Sequence, residues 1–519
     1  MNRVKVIKDH LVFPVKNPER AKHYFPQAKL AHARGKWHVA AVPHTVEATR
    51  LLRNVGLDVP APVSSRYRWP GRFTPFDHQR VTTEFLTMNR RGFCLNGMGT
   101  GKTLSNVWAA DYLMREGEVH KCLIVAPLST LERVWADELF FTLPDRSFAV
   151  LHGTRNKRME LLEQDHDFYI INHDGIQIIA EQLAERHDID LIIIDECAVY
   201  RNARTKRWRT MNYVLNKQGV DRWVWGLTGT PTPNAPTDAY GQMKLIKPEN
   251  YRGSFTTFRD DAMLQVNQFR WVPRRGAEDL VHQILSPAIR FALEDCIDLP
   301  PTIRQDRQCA LSAMQTKHYK ELMDEALTIV GGSEITAVNA AVLVNKLVQA
   351  ACGVLYSSDG SVQEIDFGPR LALLKEVIEE CSEKVIVFVP LSGVLHALRR
   401  ELAKDWTVEV VDGSVSATRR NQIFHEFQNE KHPRILLANA GTMAHGLTLT
   451  AASMIIWYAP TNNNDTYNQA NARIVRPSQK NVTNIVHMYA TAGERNTYKA
   501  LWEKTRMQDV VLDLVRGNQ

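Results

Sequence analysis

The stretch CLNGMGTGKTLSNVWAADYL at residues 94–113 decides the fold, because it reads as a strand, a glycine-rich turn and a helix in direct succession. Glycines in such a turn let backbone N–H groups wrap around a polyphosphate, and the N-terminus of the following helix favours its negative charge. Lys102 would neutralise the β- and γ-phosphates, and the Thr103 hydroxyl would bind Mg²⁺. The predicted nucleotide-binding residues of this turn are Gly99, Thr100, Gly101, Lys102 and Thr103.

One position departs from the usual phosphate-loop pattern, because Asn96 stands where that pattern has a glycine. The remaining G-x-G-K-T still has the expected strand before it and helix after it. The alternative is a glycine-rich turn that binds no ligand. Nucleotide binding alone does not distinguish a kinase from a GTPase or a motor.

A pair of carboxylates follows at the end of a second apolar strand, DLIIIDECAVYRN at residues 190–202. Ligands of doubly wound sheets bind at the carboxyl edge of the strands, so Asp195 and Glu196 are expected beside the nucleotide. Asp195 would hold Mg²⁺ through its water shell, and Glu196 would activate the attacking water. The alternative is a solvated strand end. A kinase has less need of the second carboxylate, so the pair favours nucleotide hydrolysis.

Short apolar runs alternate with amphipathic stretches in two separate regions of the 519-residue chain, which predicts an α/β protein with two parallel-sheet lobes. The first region includes KCLIVAPL, FYIINHD and DLIIIDE, and the second includes EKVIVFVPL, PRILLANAG and ASMIIWYAP. We predict four parts: a small α+β accessory module at 1–70, a first lobe at 71–250, a helical connecting region at 251–368 and a second lobe at 369–519.

Composition indicates a globular, non-membrane protein. Hydrophobic residues make up 44% of the chain and charged residues 23%, and no apolar run reaches membrane-spanning length. The seven cysteines are scattered singly without a C-x-x-C pair, which argues against a disulfide or zinc framework. A reducing intracellular compartment is therefore expected.

Positive charge is concentrated at the front of the chain. Residues 1–75 contain 14 Lys and Arg against four Asp and Glu, a net charge of +10 where the whole chain carries +7. A basic module on a near-neutral body suggests contact with a phosphate backbone, and a solvated face is the alternative. Within it, we expect a short amphipathic helix that Gly56 ends. Aromatic and basic residues that could stack bases, or fill the module's own core, are Trp37, Arg66, Arg68, Trp69, Arg72 and Phe73.

The order of motifs over residues 70–515 resembles superfamily-two helicases, and most closely their Swi/Snf-type branch of DNA translocases. FTPFDHQR at 73–80 is similar to the family's Q motif, which implies that Gln79 reads the adenine. LIVAPLSTLERVWADEL at 123–139 resembles motif Ia, which the family uses to touch the nucleic-acid backbone. The sequence DECA at 195–198 replaces the commoner DEAH or DEGH box of the family. Motif III is matched by Thr228, Gly229, Thr230 and Pro231.

Two motifs of the second lobe complete the resemblance. Residues 438–460 resemble motif V, which implies a nucleotide contact at Gly446, although Thr448 replaces a commoner Asn. QANARIVRPSQ at 469–479 resembles motif VI and implies that Arg473 and Arg476 are arginine fingers, which stabilise γ-phosphate charge when the lobes close. The resemblance therefore implies two RecA-like lobes that bind ATP and Mg²⁺ between them.

The resemblance implies an ATP-dependent motor that moves along or remodels duplex or forked DNA without reading sequence, since backbone contacts carry no base information. The front module is similar to the accessory module of annealing helicases, and a cap that stabilises the first lobe is the competing interpretation. A strand-separating helicase on single-stranded DNA or RNA, and a DNA-binding scaffold with a degenerate ATPase, compete with the motor. The compact lobes suggest a cytoplasmic enzyme of a bacterium or a phage-infected cell, acting in replication, recombination or repair. Protein partners stay open.

Overall fold

The structure is a computed structural model that describes residues 4–32, 37–216, 219, 221–267, 270–296, 299–332, 337–356, 361–443, 448–476 and 478–503, with the backbone alone at 270, 325–332 and 337–344. Within this part of the chain, none of the helices combines the length and the apolar character that crossing a bilayer requires.

The N-terminal residues form a small antiparallel sheet with helices packed beside it. Its elements are β1 (Lys5–Ile7), β2 (His10–Val15), α1 (Pro18–Tyr24), β3 (Lys29–His32), β4 (His38–Pro43), α2 (Val46–Asn54) and α3 (Pro62–Arg66). The strand order is β1-β2-β4-β3. Helix α2 begins where the Thr45 hydroxyl accepts from the Ala48 amide, and Gly56 follows it with a φ of +80°, as expected for a helix end.

The N-terminal module is bound to the first lobe by its own arginines. Arg53 forms an ion pair with Glu84 at 2.7 Å, and the Arg50 guanidinium donates to the Met88 carbonyl at 2.8 Å. Both partners belong to the first helix of the lobe. Part of the module's positive charge therefore serves internal contacts, as the cap interpretation requires, while Lys5 and Lys8 are among the lysines that stay exposed.

The first lobe is a seven-stranded parallel sheet with helices on both faces. Its elements are α4 (Asp77–Met88), β5 (Arg91–Cys94), α5 (Lys102–Arg115), β6 (Lys121–Ala126), a π-helical turn (Leu131–Ala136), α6 (Asp137–Thr142), β7 (Phe148–Val150), α7 (Arg155–Glu163), β8 (Phe168–Asn172), α8 (Ala180–Glu185), β9 (Ile189–Asp195), α9 (Lys206–Leu215), β10 (Trp223–Leu227), α10 (Ala239–Ile246), α11 (Phe255–Ala262), β11 (Met263–Asn267), β12 (Arg270–Pro273), α12 (Ala277–Ile284) and β13 (Ala288–Ile289). The strand order is β13-β5-β10-β9-β6-β8-β7.

The second lobe is a six-stranded parallel sheet. Its elements, with the linker helix α13, are α13 (Leu293–Cys296), β14 (Thr302–Gln308), α14 (Ala313–Gly332), α15 (Ala337–Cys352), β15 (Val354–Tyr356), β16 (Val362–Glu364), α16 (Gly368–Glu379), β17 (Lys384–Phe388), α17 (Ser392–Leu402), β18 (Val408–Val411), α18 (Ala417–Asn429), β19 (Ile435–Ala438), β20 (Ala452–Trp457), α19 (Asn464–Asn471) and β21 (Thr483–Tyr489). The strand order is β14-β21-β20-β17-β19-β18. The predicted fold class, α/β with two parallel-sheet lobes, is confirmed.

Strands buried on both faces explain why the lobe sequences are apolar without alternation. In β6, Leu123 and Val125 face one hydrophobic core of the first lobe, whereas Cys122 and Ile124 face the other. All four are fully buried. Helices therefore cover both sides of the sheet, and the polar residues that could bind a ligand are left at the carboxyl ends of the strands.

The structure divides the predicted connecting region, 251–368, differently. Phe258, Val281 and Ile284 fill the core of the first lobe, and β13 extends its sheet beside β5. The second lobe begins earlier than residue 369, because β14 pairs with β21 over its whole length. Residues 251–289 therefore belong to the first lobe, and the chain crosses between the lobes just before residue 302.

A buried ion pair fastens the second lobe. Arg370 and Glu494, each 1% exposed at the side chain, lie 2.7 Å apart. The Arg370 guanidinium also donates to the carbonyls of Ala351 at 3.0 Å and Tyr458 at 3.1 Å. Because Ala351 lies at the end of α15 and Tyr458 directly follows β20, the Arg370 side chain connects α15 to the carboxyl end of a strand in the second-lobe sheet.

Candidate nucleotide-binding and catalytic site

The glycine-rich turn lies between β5 and α5, at the carboxyl edge of the first sheet. Gly99 and Gly101 have φ values of +81° and +76°, which only glycine adopts without strain. A Cβ at Gly101 would also collide with the Gln79 amide. The Lys102 ammonium donates to the carbonyls of Asn96 and Gly97, at 2.9 and 3.1 Å. The lysine therefore lies within the loop that it is predicted to share with the phosphates.

Gln79 lies against this loop and is buried. Its carbonyl oxygen accepts from the Phe76 amide at 3.0 Å, which caps α4, and its amide donates to the Thr100 carbonyl at 3.4 Å. The His78 ring nitrogen Nε2 lies 2.9 Å from the same carbonyl. These contacts position Gln79 beside the nucleotide loop, and its role in reading the adenine stays a prediction.

The acidic pair lies at the end of β9, between the ends of β6 and β10. Asp195 accepts from the Trp135 indole N–H at 3.0 Å and from the Glu196 amide at 3.1 Å. Glu196 has a φ of +51°, a left-handed conformation that is uncommon for a residue other than glycine. The structure thus holds both side chains at the sheet edge predicted to bind the ligand.

Charges around Glu196 come from both lobes. Burial, and after it the adjacent charge of Asp195, raises the pKa of the Glu196 carboxyl to about 8. The positive charges of Lys102 and Arg473 act to lower that pKa. The phosphate-loop lysine and one predicted arginine finger therefore both lie close enough to act on the Glu196 carboxyl. The site therefore concentrates two carboxylates that a divalent cation would stabilise in their charged form.

Motif III connects the nucleotide loop to the second lobe. The Thr228 amide donates to the Cys94 carbonyl at 3.1 Å, and Gly229 lies against the backbone of Asn96. The Thr230 hydroxyl then donates to the Asp465 carboxylate at 2.8 Å, across the gap between the lobes. Asp465 lies in the first turn of α19, the helix that precedes the predicted arginine fingers.

Both predicted arginine fingers lie just after α19, where Arg473 is buried and Arg476 is half-buried. Burial, and after it the like charge of Arg476, lowers the pKa of Arg473 to about 9, whereas Glu196 acts in the opposite direction. Arg476 donates to the Ala472 carbonyl at 2.9 Å, and burial lowers its pKa as well. Gly446, the predicted nucleotide contact of motif V, lies outside the described residues.

Family models match both lobes in the expected order. A model described as "SNF2-related domain" matches residues 78–352, more than half of the chain. The chain belongs to the SNF2 family. A second model, "Helicase conserved C-terminal domain", matches residues 369–478. The protein is therefore an SNF2-family ATPase of the helicase type.

Individual relatives are distant in sequence. The phage protein p41, from Acyrthosiphon pisum secondary endosymbiont phage 1, is 24% identical over 461 residues, covering 85% of this chain and 98% of p41. The human DNA annealing helicase and endonuclease ZRANB3 is 23% identical over 405 residues, covering 75% of this chain but 36% of ZRANB3. A solved structure of the Sulfolobus solfataricus SWI2/SNF2 ATPase core in complex with dsDNA shares 20% identity, with a TM-score of 0.40, covering 86% of this chain and 94% of that chain.

Asn96 shows how this SNF2-family chain replaces the usual loop glycine. The residue is 1% exposed, and its side chain makes two hydrogen bonds. The amide nitrogen donates to the Thr82 hydroxyl at 2.8 Å, and the amide oxygen accepts from the Phe291 amide at 2.9 Å. The asparagine therefore ties the start of the loop to α4 and to the segment that leaves the first lobe.

Gln242 is a site residue that the sequence did not reveal. It is fully buried in α10, accepts from the Cys197 thiol at 3.4 Å, and donates to the Pro231 carbonyl at 2.6 Å. Cys197 follows Glu196 and Pro231 ends motif III, so one amide connects the acidic pair to the interlobe element. A polar residue in an apolar helix, YGQMKLI, is the signal that could have found it.

Proposed function

We propose that this SNF2-family ATPase hydrolyses ATP in the cleft between its lobes and uses their closure to move along duplex or branched DNA. The observation that carries the proposal is the hydrogen bond between Thr230 and Asp465. It links motif III, which contacts the nucleotide loop of the first lobe, to α19, the helix just before the predicted arginine fingers of the second lobe. Nucleotide occupancy can therefore change how the lobes sit against each other.

Each polar side chain has a distinct proposed role in hydrolysis. Lys102 neutralises the β- and γ-phosphates, and the raised pKa of Glu196 suits a group that accepts a proton from the attacking water. Arg473 and Arg476 stabilise charge on the γ-phosphate when the lobes are closed. Gln79 and Gly446 contribute nucleotide contacts.

Mg²⁺ fits the residues that are present. Thr103 and Asp195 would hold it, Asp195 through water, and a bound Mg²⁺ would neutralise phosphate charge in the transition state. Among the residues that the structure describes, His, Cys, Asp and Glu form no cluster of three that could hold a metal by themselves. Mg²⁺ needs no such cluster, because it is usually held by one or two side chains together with waters and substrate phosphates.

Several observations support DNA as the track. ZRANB3 is described as a DNA annealing helicase, and the front of this chain carries a net charge of +10. The similarity to p41, a phage protein, fits a source in a bacterium or a phage-infected cell. We infer a cytoplasmic enzyme that acts in replication, recombination or repair. Exposed lysines of the N-terminal module would contact phosphates while its arginines hold it on the first lobe.

The decisive experiment measures steady-state ATP hydrolysis with no nucleic acid, single-stranded DNA, blunt duplex, forked DNA and RNA at one salt concentration. Strong stimulation by blunt or forked duplex is the expected result. Stimulation by single strands or RNA alone would instead assign the protein to the strand-separating helicases. An absence of stimulation by every nucleic acid would contradict the motor.

A matched pair of variants tests the chemistry. Glu196→Gln keeps the size of the side chain but removes the proton acceptor, so ATP should still bind while turnover falls by about 10²–10⁴-fold. Lys102→Ala should weaken nucleotide binding itself. ATP turnover that persists in Glu196→Gln would contradict the proposed role of Glu196.

A further inference from the structure

The segment after β6 brings an exposed turn and a buried tryptophan together next to the acidic pair. Strands β6 and β9 are parallel neighbours, with Val125 opposite Ile194. The chain that leaves β6 therefore emerges beside Asp195. It forms a short turn at 128–130 and then the π-helical turn at 131–136. Such π-helical turns are rare and frequently lie at functional sites.

The two sides of this segment have different environments. Leu128, Ser129 and Arg133 are exposed, whereas Trp135 is fully buried. The Trp135 indole N–H donates to the Asp195 carboxylate at 3.0 Å. A strand of nucleic acid that binds the hydroxyl of Ser129 or the guanidinium of Arg133 would therefore be separated from Asp195 by one turn and one hydrogen bond.

This hydrogen bond fixes the orientation of the carboxylate. One Asp195 oxygen accepts from Trp135 and the other from the Glu196 amide, so rotation of the carboxylate would break both bonds. Hydrogen-bond donors behind a metal-binding carboxylate orient it and tune its affinity for the metal. Movement of the turn would thus be passed to the group that is proposed to hold Mg²⁺.

We propose that Trp135 is a positioning residue that couples the exposed turn at 128–133 to Asp195, so that nucleic acid bound at the turn aligns the Mg²⁺ site for hydrolysis. The coupling rests on the proposed function, since it needs a nucleic-acid-stimulated ATPase. The contact between Trp135 and Asp195 can be tested without nucleic acid.

The experiment compares the full chain with Trp135→Phe, which keeps an aromatic ring but removes the N–H. Its control is Trp108→Phe, because Trp108 is equally buried in the same core and donates one hydrogen bond, to the Pro70 carbonyl at 2.9 Å. Equilibrium binding of a directly excited fluorescent ATP analogue is titrated with Mg²⁺ in the absence of DNA. Trp135→Phe should need about tenfold more Mg²⁺, as found when partners behind metal ligands are removed, and the control should match the wild type.

Steady-state hydrolysis at saturating Mg²⁺ supplies the second readout. In Trp135→Phe the ratio of kcat with blunt duplex to kcat without DNA should fall, while KM for ATP stays close to the wild-type value. An unchanged ratio overturns the coupling. Equal losses of thermal stability in the two variants, with an unchanged Mg²⁺ requirement, would show that Trp135 only fills the core.

A double-mutant cycle separates action through Asp195 from a general effect. In an Asp195→Asn background, Trp135→Phe should add little to the Mg²⁺ requirement, and additive effects would overturn the proposal. If duplex DNA does not stimulate the wild type, the proposed function fails. The DNA-free titration then still decides whether Trp135 positions Asp195.

Discussion

Replacing Asn96 with the glycine that phosphate loops usually carry should destabilise this protein. Asn96→Gly removes two buried hydrogen bonds, to the Thr82 hydroxyl and from the Phe291 amide. A buried hydrogen bond contributes about 0.5–1.5 kcal/mol, so their loss costs about 1–3 kcal/mol. The added backbone freedom of glycine costs about 0.5–1 kcal/mol more. We therefore expect a loss of about 1.5–4 kcal/mol in the free energy of unfolding of the first lobe.

The assay is urea unfolding followed by far-UV circular dichroism, with KM for ATP measured on the same preparations. KM should rise in Asn96→Gly, because the Asn96 carbonyl also accepts from the Lys102 ammonium and the loop becomes less ordered. Asn89→Ala is the control, since it removes a single side-chain bond to the Phe85 carbonyl at the end of α4. A stability equal to that of the wild type would refute the reasoning, because it would mean that a glycine serves this loop as well as the asparagine does.

Three further outcomes are expected from contacts elsewhere in the chain. Asp465→Ala should lower DNA-stimulated kcat by about tenfold without lowering the melting temperature, because a charge-assisted bond between the lobes contributes about 1.5–3 kcal/mol; an unchanged kcat contradicts this. Arg370→Met should cost about 3–5 kcal/mol in urea unfolding, because it leaves the buried Glu494 charge unpaired. Arg307→Met, at a partly exposed ion pair, should cost less than about 1 kcal/mol, and equal costs would contradict the burial argument. Burial lowers the pKa of His487 in the folded protein, so the unfolded state binds the proton more readily. The melting temperature should therefore fall as pH drops below about 6.5, and this fall should be smaller in His487→Gln.

The lobes could be predicted from sequence because their signals are local. Apolar runs such as Ile192–Ile194 are buried on both faces, and a run of this kind requires helices on both sides of a parallel sheet. The glycines of the nucleotide loop are a local signal as well, because each marks a position whose own backbone needs a positive φ. A feature of the structure could be predicted where its physical cause lies within a few residues along the chain.

The features that the sequence did not predict depend on partners far apart along the chain. Asn96 looked like a departure from a pattern, yet its partners lie 14 and 195 residues away. The helices at 255–284 have ordinary amphipathic sequences, and only the packed structure shows that they complete the first core. Asp465 stands in the polar run TNNNDT, which reads as a loop until Thr230 is seen against it.

The connections around the nucleotide site suggest that binding and coupling can be separated. Lys102 and the glycines form the nucleotide loop itself, whereas Trp135, Gln242 and Asp465 reach the site from neighbouring elements through one or two hydrogen bonds each. Bonds of this kind contribute about 0.5–3 kcal/mol each, the charge-assisted ones most, which is too little to decide whether the lobes fold but enough to change a conformational equilibrium severalfold. At saturating Mg²⁺, loss of any one connection should therefore leave ATP binding largely intact while weakening the dependence of hydrolysis on DNA or on lobe closure. A motor needs this arrangement, because its ATPase must respond to a track that never touches the nucleotide.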